Sequence, residues 1–315
     1  MGRNRMTIFV HILVNNVLPL TMMIGLGIII QKAFSLDIRT LTKLNFYLFT
    51  PAVVFKSLYS TDIAMSVISN TLIFFFLFML AQFILLELVC WLRGYQGGMR
   101  ASMRTSVQFY NSANYGIPLN QLAFAGNTYT LSMQVLMMMM QSLIPNTYGV
   151  YVVNAHRAKL RDLWKTILSM PVIYVIPLAF VMRAYEVPIP GFVETPVTYL
   201  SDAFLGTALI TLGVQLGSMS WKISKTQAID VAISSGLRLA AGPLIAWLIV
   251  SLMDLPALMK AALIVSSAVP TGLNCVLLAV EYDNEKEFAS QAVLFSTLLS
   301  IVTVTVVICL LHIPV

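Results

Sequence analysis

Apolar segments of about 20 residues follow one another along almost the whole of the 315-residue chain, with only short polar connections between them. Hydrophobic residues make up 58% of the sequence and charged residues only 10%. A soluble domain carries about 25% charged residues because its surface faces water. A helix of about 20 apolar residues is long enough to cross a bilayer. The sequence therefore predicts an all-α polytopic membrane protein that is embedded in the lipid bilayer.

Ten transmembrane helices are predicted. They cover residues 8–32, 41–59, 67–92, 102–125, 130–153, 163–184, 197–216, 227–252, 257–280 and 288–311. The first of them is longer than the apolar region of a signal peptide, which spans about 7–15 residues, so we expect it to be a permanent helix. None of the connections is long enough to hold a soluble domain.

Lysine and arginine are distributed unevenly between the two ends of the predicted helices. Of the 19 Lys and Arg residues, 13 lie in the first, third, fifth, seventh and ninth connections, five lie on the opposite side, and Arg238 lies inside a helix. Cytoplasmic connections carry the excess of positive charge. Both termini are therefore predicted to lie outside the cytoplasm.

Two of the predicted helices are interrupted at corresponding places. The fourth helix is broken at residues 111–118 and the ninth at 270–274. Five helices in each half, 1–155 and 162–315, require the second half to enter the membrane with the opposite orientation. Such inverted repeats with discontinuous helices are typical of secondary transporters. The fold class is therefore predicted as two inverted five-helix repeats with two broken crossover helices.

The breaks have a chemistry of their own. Proline removes a backbone donor and glycine weakens a helix, so both breaks free polar backbone groups in the middle of the membrane. Such groups are tolerated only where they are buried in protein or face a watery cavity. The half-helices that follow have N-termini with partial positive charge. Side-chain donors are added by Asn111, Asn114, Thr271 and Asn274. This combination predicts a site for a carboxylate.

Other polar residues in the predicted helices each have two interpretations. Asp202 is either the N-cap of the seventh helix or a protonatable coupling group. Arg238 is either a tether to backbone carbonyls or to an acidic partner, or part of a functional cavity. Gln134 and Gln141, seven residues apart on one helix face, either line the cavity or bond neighbouring helices. Asn15 either lines a polar cavity or forms a helix contact.

Several classes of protein are not indicated. The three cysteines are scattered, the three histidines do not cluster, and no HExxH motif is present, so we expect no metal site, no cofactor, no catalytic residues and no enzyme. The net charge of +6 is spread over short connections between apolar segments, which fits membrane topology rather than a nucleic-acid partner.

At these residues the chain resembles the auxin efflux carrier family, which includes plant auxin exporters and bacterial carriers for malate or malonate. Six motifs in the same order carry the resemblance: Val17-Leu18-Pro19-Leu20, Phe49-Thr50-Pro51-Ala52, Asn111 with Gly116-Ile117-Pro118-Leu119, Leu200-Ser201-Asp202-Ala203 with Leu205-Gly206 and Leu212-Gly213, Arg238 with Gly242-Pro243, and Ala268-Val269-Pro270-Thr271-Gly272 with Glu281-Tyr282.

The resemblance implies a scaffold made of helices 1, 2, 6 and 7 and a mobile transport domain made of helices 3–5 and 8–10. It implies that Asn111 contacts the substrate carboxylate, opposite the backbone of 269–274. Together, the breaks and the resemblance predict these substrate-binding residues: Asn111, Asn114, Tyr115, Gly116, Val269, Pro270, Thr271, Gly272 and Asn274. Tyr110 stands where plant-type members carry a proline, and the Ala113-Asn114 step is more polar than the family's apolar pair. Both differences favour a smaller, more polar anion than auxin.

The expected function is secondary transport of a small organic anion, a malate-, malonate- or auxin-like carboxylate, by an elevator-type alternating-access mechanism in a bacterial inner membrane. The sequence leaves uniport, proton coupling through Asp202 or Glu87, and sodium coupling open. A cation-coupled symporter or antiporter of the same topology is the alternative, although neither break contains the buried carboxylate that ion exchange needs. A homodimer is compatible with either interpretation.

Overall fold

The computed structural model describes residues 10, 12–61, 63–149, 152 and 168–311. The described α-helices are α1 Leu18–Phe34, α2 Ile38–Leu44, α3 Thr50–Ser60, α4 Met65–Arg93, α5 Gly97–Gln108, α6 Ile117–Ala123, α7 Thr128–Ile144, α8 Pro171–Ala184, α9 Gly191–Ser218, α10 Lys225–Gly236, α11 Gly242–Leu252, α12 Ala257–Ser267, α13 Asn274–Glu281 and α14 Lys286–Leu310. Within these residues, the β-type pairing consists of one isolated antiparallel bridge between Tyr110 and Thr271. The all-helical prediction is confirmed for this part of the chain.

Four helical stretches are long and apolar enough by themselves to cross a bilayer. They are α4, α9, the stretch Lys225–Leu252 that joins α10 to α11, and α14. Wider π-helical turns connect other helices without a gap, as Asn45–Phe49 does between α2 and α3. These findings agree with a polytopic membrane protein, and the ten-helix inverted repeat stays a prediction. The basic connection at 156–165 and the predicted start of the sixth helix lie outside the described residues.

Helix α9 corrects one prediction. It begins at Gly191, with Pro190 at the N-cap position, and not at residue 197. Pro196 lies inside the helix, where its missing backbone donor leaves the carbonyl of Phe192 without its helical hydrogen bond, and Glu194 in the first turn suits the positive helix end. Asp202 therefore lies inside α9, and its predicted role as a helix N-cap is wrong.

One set of helices packs around α9, and we call it the first helix group: α1, α2, α3, α8 and α9. The most extensive helix contact joins α1 to α9, and α3 packs against α8 and α9. Gly27 and Gly213 allow the close approach of α1 and α9, because a Cβ atom on Gly213 would overlap the carbonyl oxygen of Ile24 and lie 2.8 Å from the Cα of Gly27. The backbones of these two helices are therefore in direct contact.

The remaining helices, α4–α7 and α10–α14, form the second helix group. Helix α4 packs against α5, α7 and α11, while α12 packs against α7 and α11, and α14 packs against α10 and α13. The two groups meet where α3 contacts α7 and where α9 contacts the π-turn Ser112–Gly116. Both predicted breaks lie in the second group, at its boundary with the first.

Candidate functional site

The two helix breaks pair with each other through their backbones. The amide of Asn111 donates to the carbonyl of Pro270 over 2.8 Å, and the amide of Gly272 donates to the carbonyl of Phe109 over 2.7 Å. A Cβ atom on Gly272 would lie 3.0 Å from the carbonyl carbon of Tyr110, so a larger residue would need the two backbone segments to move slightly apart. Backbone groups that leave a helix inside a membrane protein need new partners. Here each break supplies partners for the other.

Arg238 binds to the ends of the two half-helices that precede the breaks. Its buried guanidinium donates to the carbonyl oxygen of Val107 over 3.1 Å and to the carbonyl oxygen of Ser267. These carbonyls belong to the last turns of α5 and α12, where a cation is favoured by the helix dipole. The guanidinium carbon also lies 4.5 Å from the centre of the Tyr110 ring. These contacts are those of a backbone tether, one of the two interpretations of Arg238.

Helix α7 supports the first break through two glutamines. Gln134 donates to the carbonyl and the hydroxyl oxygens of Ser112, over 2.9 and 2.8 Å. The side chain of Gln141 accepts from the amide of Tyr110 over 3.3 Å and donates to the carbonyl of Gln108 over 3.2 Å. Both glutamines therefore bond to neighbouring structure, and Gln141 also lines the cavity described below.

The side chain of Asn111 caps a helical turn with its oxygen and lies at the cavity with its nitrogen. Its side-chain oxygen accepts from the backbone amide of Asn114 over 3.1 Å, which caps the start of the helical turn that follows. That bond fixes the orientation of the amide, because a backbone N–H can only donate. The side-chain nitrogen is left as a donor at the cavity, where Asn111 is 8% exposed.

Several predicted binding residues lie behind the site rather than in it. The hydroxyl of Thr271 donates to the carbonyl of Ser106 over 2.8 Å and the side chain is fully buried, so the expectation that it supplies a donor to a ligand is wrong. The hydroxyl of Tyr115 accepts from Ser300 over 3.0 Å. Gly116, Val269 and Pro270 are also buried and do not line the cavity. They hold the breaks in shape.

A cavity of about 150 Å³ lies between the two helix groups, and we call it the central cavity. The second group lines it with both breaks and α7, through Tyr110, Asn111, Ser112, Ala113, Asn114, Met138, Met139, Gln141, Ser142, Leu143, Gly272, Leu273, Asn274 and Leu277. The first group lines it with Thr42, Asn45, Phe46, Thr50, Met170, Val172, Ile173 and Gln215. Among these lining residues none carries a charge. The cavity brings together the predicted residues Asn111, Asn114, Gly272, Asn274 and Gln141.

Asn45, Gln215 and Thr42 are cavity residues that the sequence did not indicate. Each is a single polar residue in or beside an apolar helix, and the sequence shows no periodicity that would separate a cavity-lining amide from one that bonds a neighbouring helix. Their position depends on how α2, the π-turn that follows it and α9 are rotated against one another.

Three other candidates lie away from the central cavity. Asp202 is exposed and forms an ion pair with Lys56, with 3.0 Å between the ammonium nitrogen and a carboxylate oxygen. Asn15 is exposed on the π-turn Leu13–Val17. Glu87 is paired with two arginines near the end of α4, and its carboxylate lies 2.6 Å from the Nε atom of Arg104. None of the three lines the cavity.

Comparisons with known proteins indicate membrane transport. The model of the family described as membrane transport protein matches residues 154–308. An uncharacterized transporter of Methanothermobacter thermautotrophicus is 23% identical over 294 residues, which cover 91% of this chain and 94% of that protein. Auxin efflux carrier component 3a of Oryza sativa subsp. japonica is 28% identical over 142 residues, or 44% of this chain and 23% of the rice protein.

Residues 154–308 carry the membrane transport protein domain, and the relatives support membership of the auxin efflux carrier family. The resemblance found in the sequence motifs is thereby confirmed, and the protein is a membrane transporter. A transporter of this family needs a place inside the membrane where a solute is held. The central cavity, walled by paired helix breaks, is the candidate for that place.

Proposed function

We propose that this carrier moves a small organic anion with a carboxylate group through the central cavity by alternating access. The observation that carries the proposal is the donor-rich wall formed by the paired breaks. The side-chain nitrogen of Asn111 is held as a donor at the cavity, and α13 begins beside it at Asn274. The amides of Cys275 and Val276 already bond to the carbonyls of Gly272 and Leu273, so this helix N-terminus favours a negative group mainly through its dipole. A carboxylate fits both features without any lysine or arginine.

The size of the cavity limits the substrate. Its volume of about 150 Å³ matches that of an engineered cavity in another protein that accommodates benzene. A malonate- or malate-sized anion has a similar number of atoms, whereas an indole acid is considerably larger. The volume therefore supports a small carboxylate over an auxin-like one, in the conformation that the structure represents.

The arrangement of the helix groups supports an elevator-type movement. Contacts are extensive within each group, and the central cavity lies on the boundary between them. We assign the scaffold to the first helix group and the transport domain to the second, with the crossover breaks travelling together as a part of the transport domain. The proposed location is a bacterial inner membrane, with both termini outside the cytoplasm. The cavity lining contains no carboxylate, so the proposal names no coupling ion.

Counterflow in proteoliposomes tests the proposal. Purified protein is reconstituted into liposomes loaded in turn with malate, malonate and indole-3-acetate, and uptake of the same labelled compound is followed. We expect saturable exchange of malate or malonate. In Asn111→Ala, exchange should fall by roughly 10- to 100-fold, since a hydrogen bond to a charged group contributes about 1.5–3 kcal/mol.

A matched control is available because Asn127 also caps a helix. Its side-chain oxygen accepts from the amides of Tyr129 and Thr130 at the start of α7, away from the cavity. Asn127→Ala removes a cap of the same kind and should leave the exchange rate unchanged. Equal rates in Asn111→Ala and the original protein would contradict the site assignment, and an absence of exchange with every anion by folded protein would contradict the substrate class.

A further inference from the structure

Arg238 places a positive charge in the interior of the second helix group. It lies in the π-turn Leu237–Ala241 between α10 and α11, and its side chain is completely buried. An arginine side chain in a protein is always charged. Among the residues that the structure describes, no carboxylate lies within ion-pairing distance of this guanidinium. A buried charge of this kind needs another source of negative potential.

Two helix ends supply that negative potential. The guanidinium donates to the carbonyl oxygen of Val107 in the last turn of α5 and to that of Ser267 at the end of α12. Each C-terminal helix end carries roughly −0.5 of an elementary charge, so two of them provide about −1, which matches one guanidinium. Neutral contacts complete the site, since Gln82 accepts over 3.3 Å and the ring of Tyr110 lies against the guanidinium.

The same kind of position holds the coupling ion in sodium-driven carriers. In transporters with broken helices, unwound backbone carbonyls and half-helix C-terminal ends coordinate Na⁺. Here such carbonyls already accept hydrogen bonds from Arg238, and a second cation beside the guanidinium would be repelled. The arginine therefore occupies, as a fixed part of the chain, a place that suits a mobile cation.

We propose that Arg238 is a built-in counter-cation that replaces a coupling sodium ion and moves with the transport domain. The inference rests on the proposed function, since it assumes an anion in the central cavity and an elevator-type movement. With a monovalent anion bound, the charges of Arg238 and the anion cancel inside the moving domain. Without the anion, the domain carries the charge of Arg238 across the membrane. The membrane potential therefore acts on the return of the empty domain and not on the loaded step.

Exchange at a controlled membrane potential tests this charge balance. Proteoliposomes contain the same saturating malate or malonate concentration on both sides, in mildly acidic medium where the anion carries one charge, so that only the loaded domain moves. A potassium gradient with valinomycin sets the potential. We expect the same exchange rate at zero and at inside-negative potential, and the same rate whether sodium or choline balances the charge. Net efflux into anion-free medium should instead become faster at inside-negative potential.

Arg238→Ala provides a second test that does not depend on transport. The shortened side chain leaves room for a free guanidinium ion, so guanidinium chloride at low millimolar concentration should raise the Tm of this variant more than choline chloride does. Arg183→Ala, at an exposed position at the end of α8, is the matched control and should show no such difference. Sodium should not raise the Tm of the original protein above its value in choline.

The outcomes separate this inference from the proposed function. Exchange that requires sodium, or monovalent exchange that slows under the potential, overturns the counter-cation and leaves anion transport standing. A folded Arg238→Ala variant that guanidinium does not stabilise contradicts a cation site between the two helix ends. An absence of exchange with every carboxylate overturns the proposed function, and the Tm measurements still decide whether the site holds a cation.

Discussion

The two helix breaks pair with each other but are held in different ways. Side chains from other parts of the second helix group surround the first break, with Gln134 bonded to Ser112 and Gln141 bonded to Tyr110. The second break turns its own side chain inward, where the hydroxyl of Thr271 bonds to Ser106, and the helix that follows begins without a side-chain cap. The first break therefore places the side chain of Asn111 at the cavity, while the second places the start of α13 there, with Asn274 in the lining.

This difference separates two kinds of contribution to the site. In the proposed function, substitutions at the first break change the chemistry that a substrate meets, because Asn111 supplies a donor group. Substitutions at the second break change geometry, because Gly272 determines how closely the backbones of the two breaks approach each other. Four predictions, taken from the largest expected effect to the smallest, test whether the breaks differ in this way.

Arg238→Met removes an anchor that both breaks share. The carbonyl oxygens of Val107 and Ser267 and the side-chain oxygen of Gln82 lose a buried donor, and each such loss costs about 1–3 kcal/mol. We expect a fall in the free energy of unfolding of roughly 3 kcal/mol or more, together with loss of transport. Thermal unfolding in detergent and counterflow measure the two effects.

Arg183→Met, at an exposed position at the end of α8, is the control and should behave like the original protein. Normal stability in Arg238→Met would mean that the breaks pair without a common anchor.

Gly272→Ala tests the geometry of the second break. The added methyl group would lie 3.0 Å from the carbonyl carbon of Tyr110, and a backbone atom cannot move aside as a side chain can. Overpacking of this kind costs about 1–3 kcal/mol. We expect transport to fall about 10-fold or more for every substrate alike, measured as kcat/KM across the anion panel. Gly25→Ala serves as the control, since its added methyl group meets no atom within 4 Å. A change in substrate preference, rather than a uniform loss, would show that the second break also contributes to substrate recognition.

Gln134→Leu and Ser296→Ala compare the supports of the two breaks directly. Gln134 donates two hydrogen bonds to Ser112 in the first break, whereas Ser296 accepts one from the amide of Thr271 in the second. We expect Gln134→Leu to reduce transport several-fold, chiefly through KM because Asn111 is displaced, and Ser296→Ala to have the smaller effect. If the two variants have equal effects on KM, the proposed difference between the breaks is incorrect.

Asp202→Asn and Lys56→Met should have the smallest effects. The ion pair between these residues is exposed on both sides, and exposed pairs contribute about 0–1 kcal/mol. We expect transport rates and their dependence on pH to remain those of the original protein. A shifted pH profile in Asp202→Asn would give this carboxylate a coupling role, and it would place function in the first helix group as well as at the breaks.

Much of the helical pattern could be predicted from the sequence. The apolar segments at 67–92 and 288–311 correspond to α4 at Met65–Arg93 and α14 at Lys286–Leu310, because an uninterrupted apolar run of this length has few other stable structures in a membrane. Both breaks occur where proline, glycine and asparagine coincide. Local backbone chemistry is sufficient for these features.

The direction of individual polar side chains could not be predicted in the same way. Thr271 looks like a ligand donor in the sequence, but it bonds to Ser106, which is distant in the chain. Asn45 and Gln215 reach the cavity because of the rotation of α2, the π-turn that follows it and α9, which depends on packing between helices. Asp202 was misplaced because the seventh helix was predicted to begin at residue 197, whereas α9 begins at Gly191 and continues through Pro196. The positions of these side chains depend on tertiary contacts, which a local sequence pattern does not predict.

The pairing of the breaks has a consequence for biosynthesis. The hydroxyl of Thr271 and the carbonyl of Ser106 that it bonds are 165 residues apart, and the amide of Asn111 likewise depends on Pro270. During synthesis, the first half enters the membrane with its broken helix lacking these partners. Its polar backbone must be sheltered by water, lipid head groups or the insertion machinery until the second half arrives. The first half is thus an incomplete folding unit, and the paired breaks are assembled only in the last stage of membrane insertion.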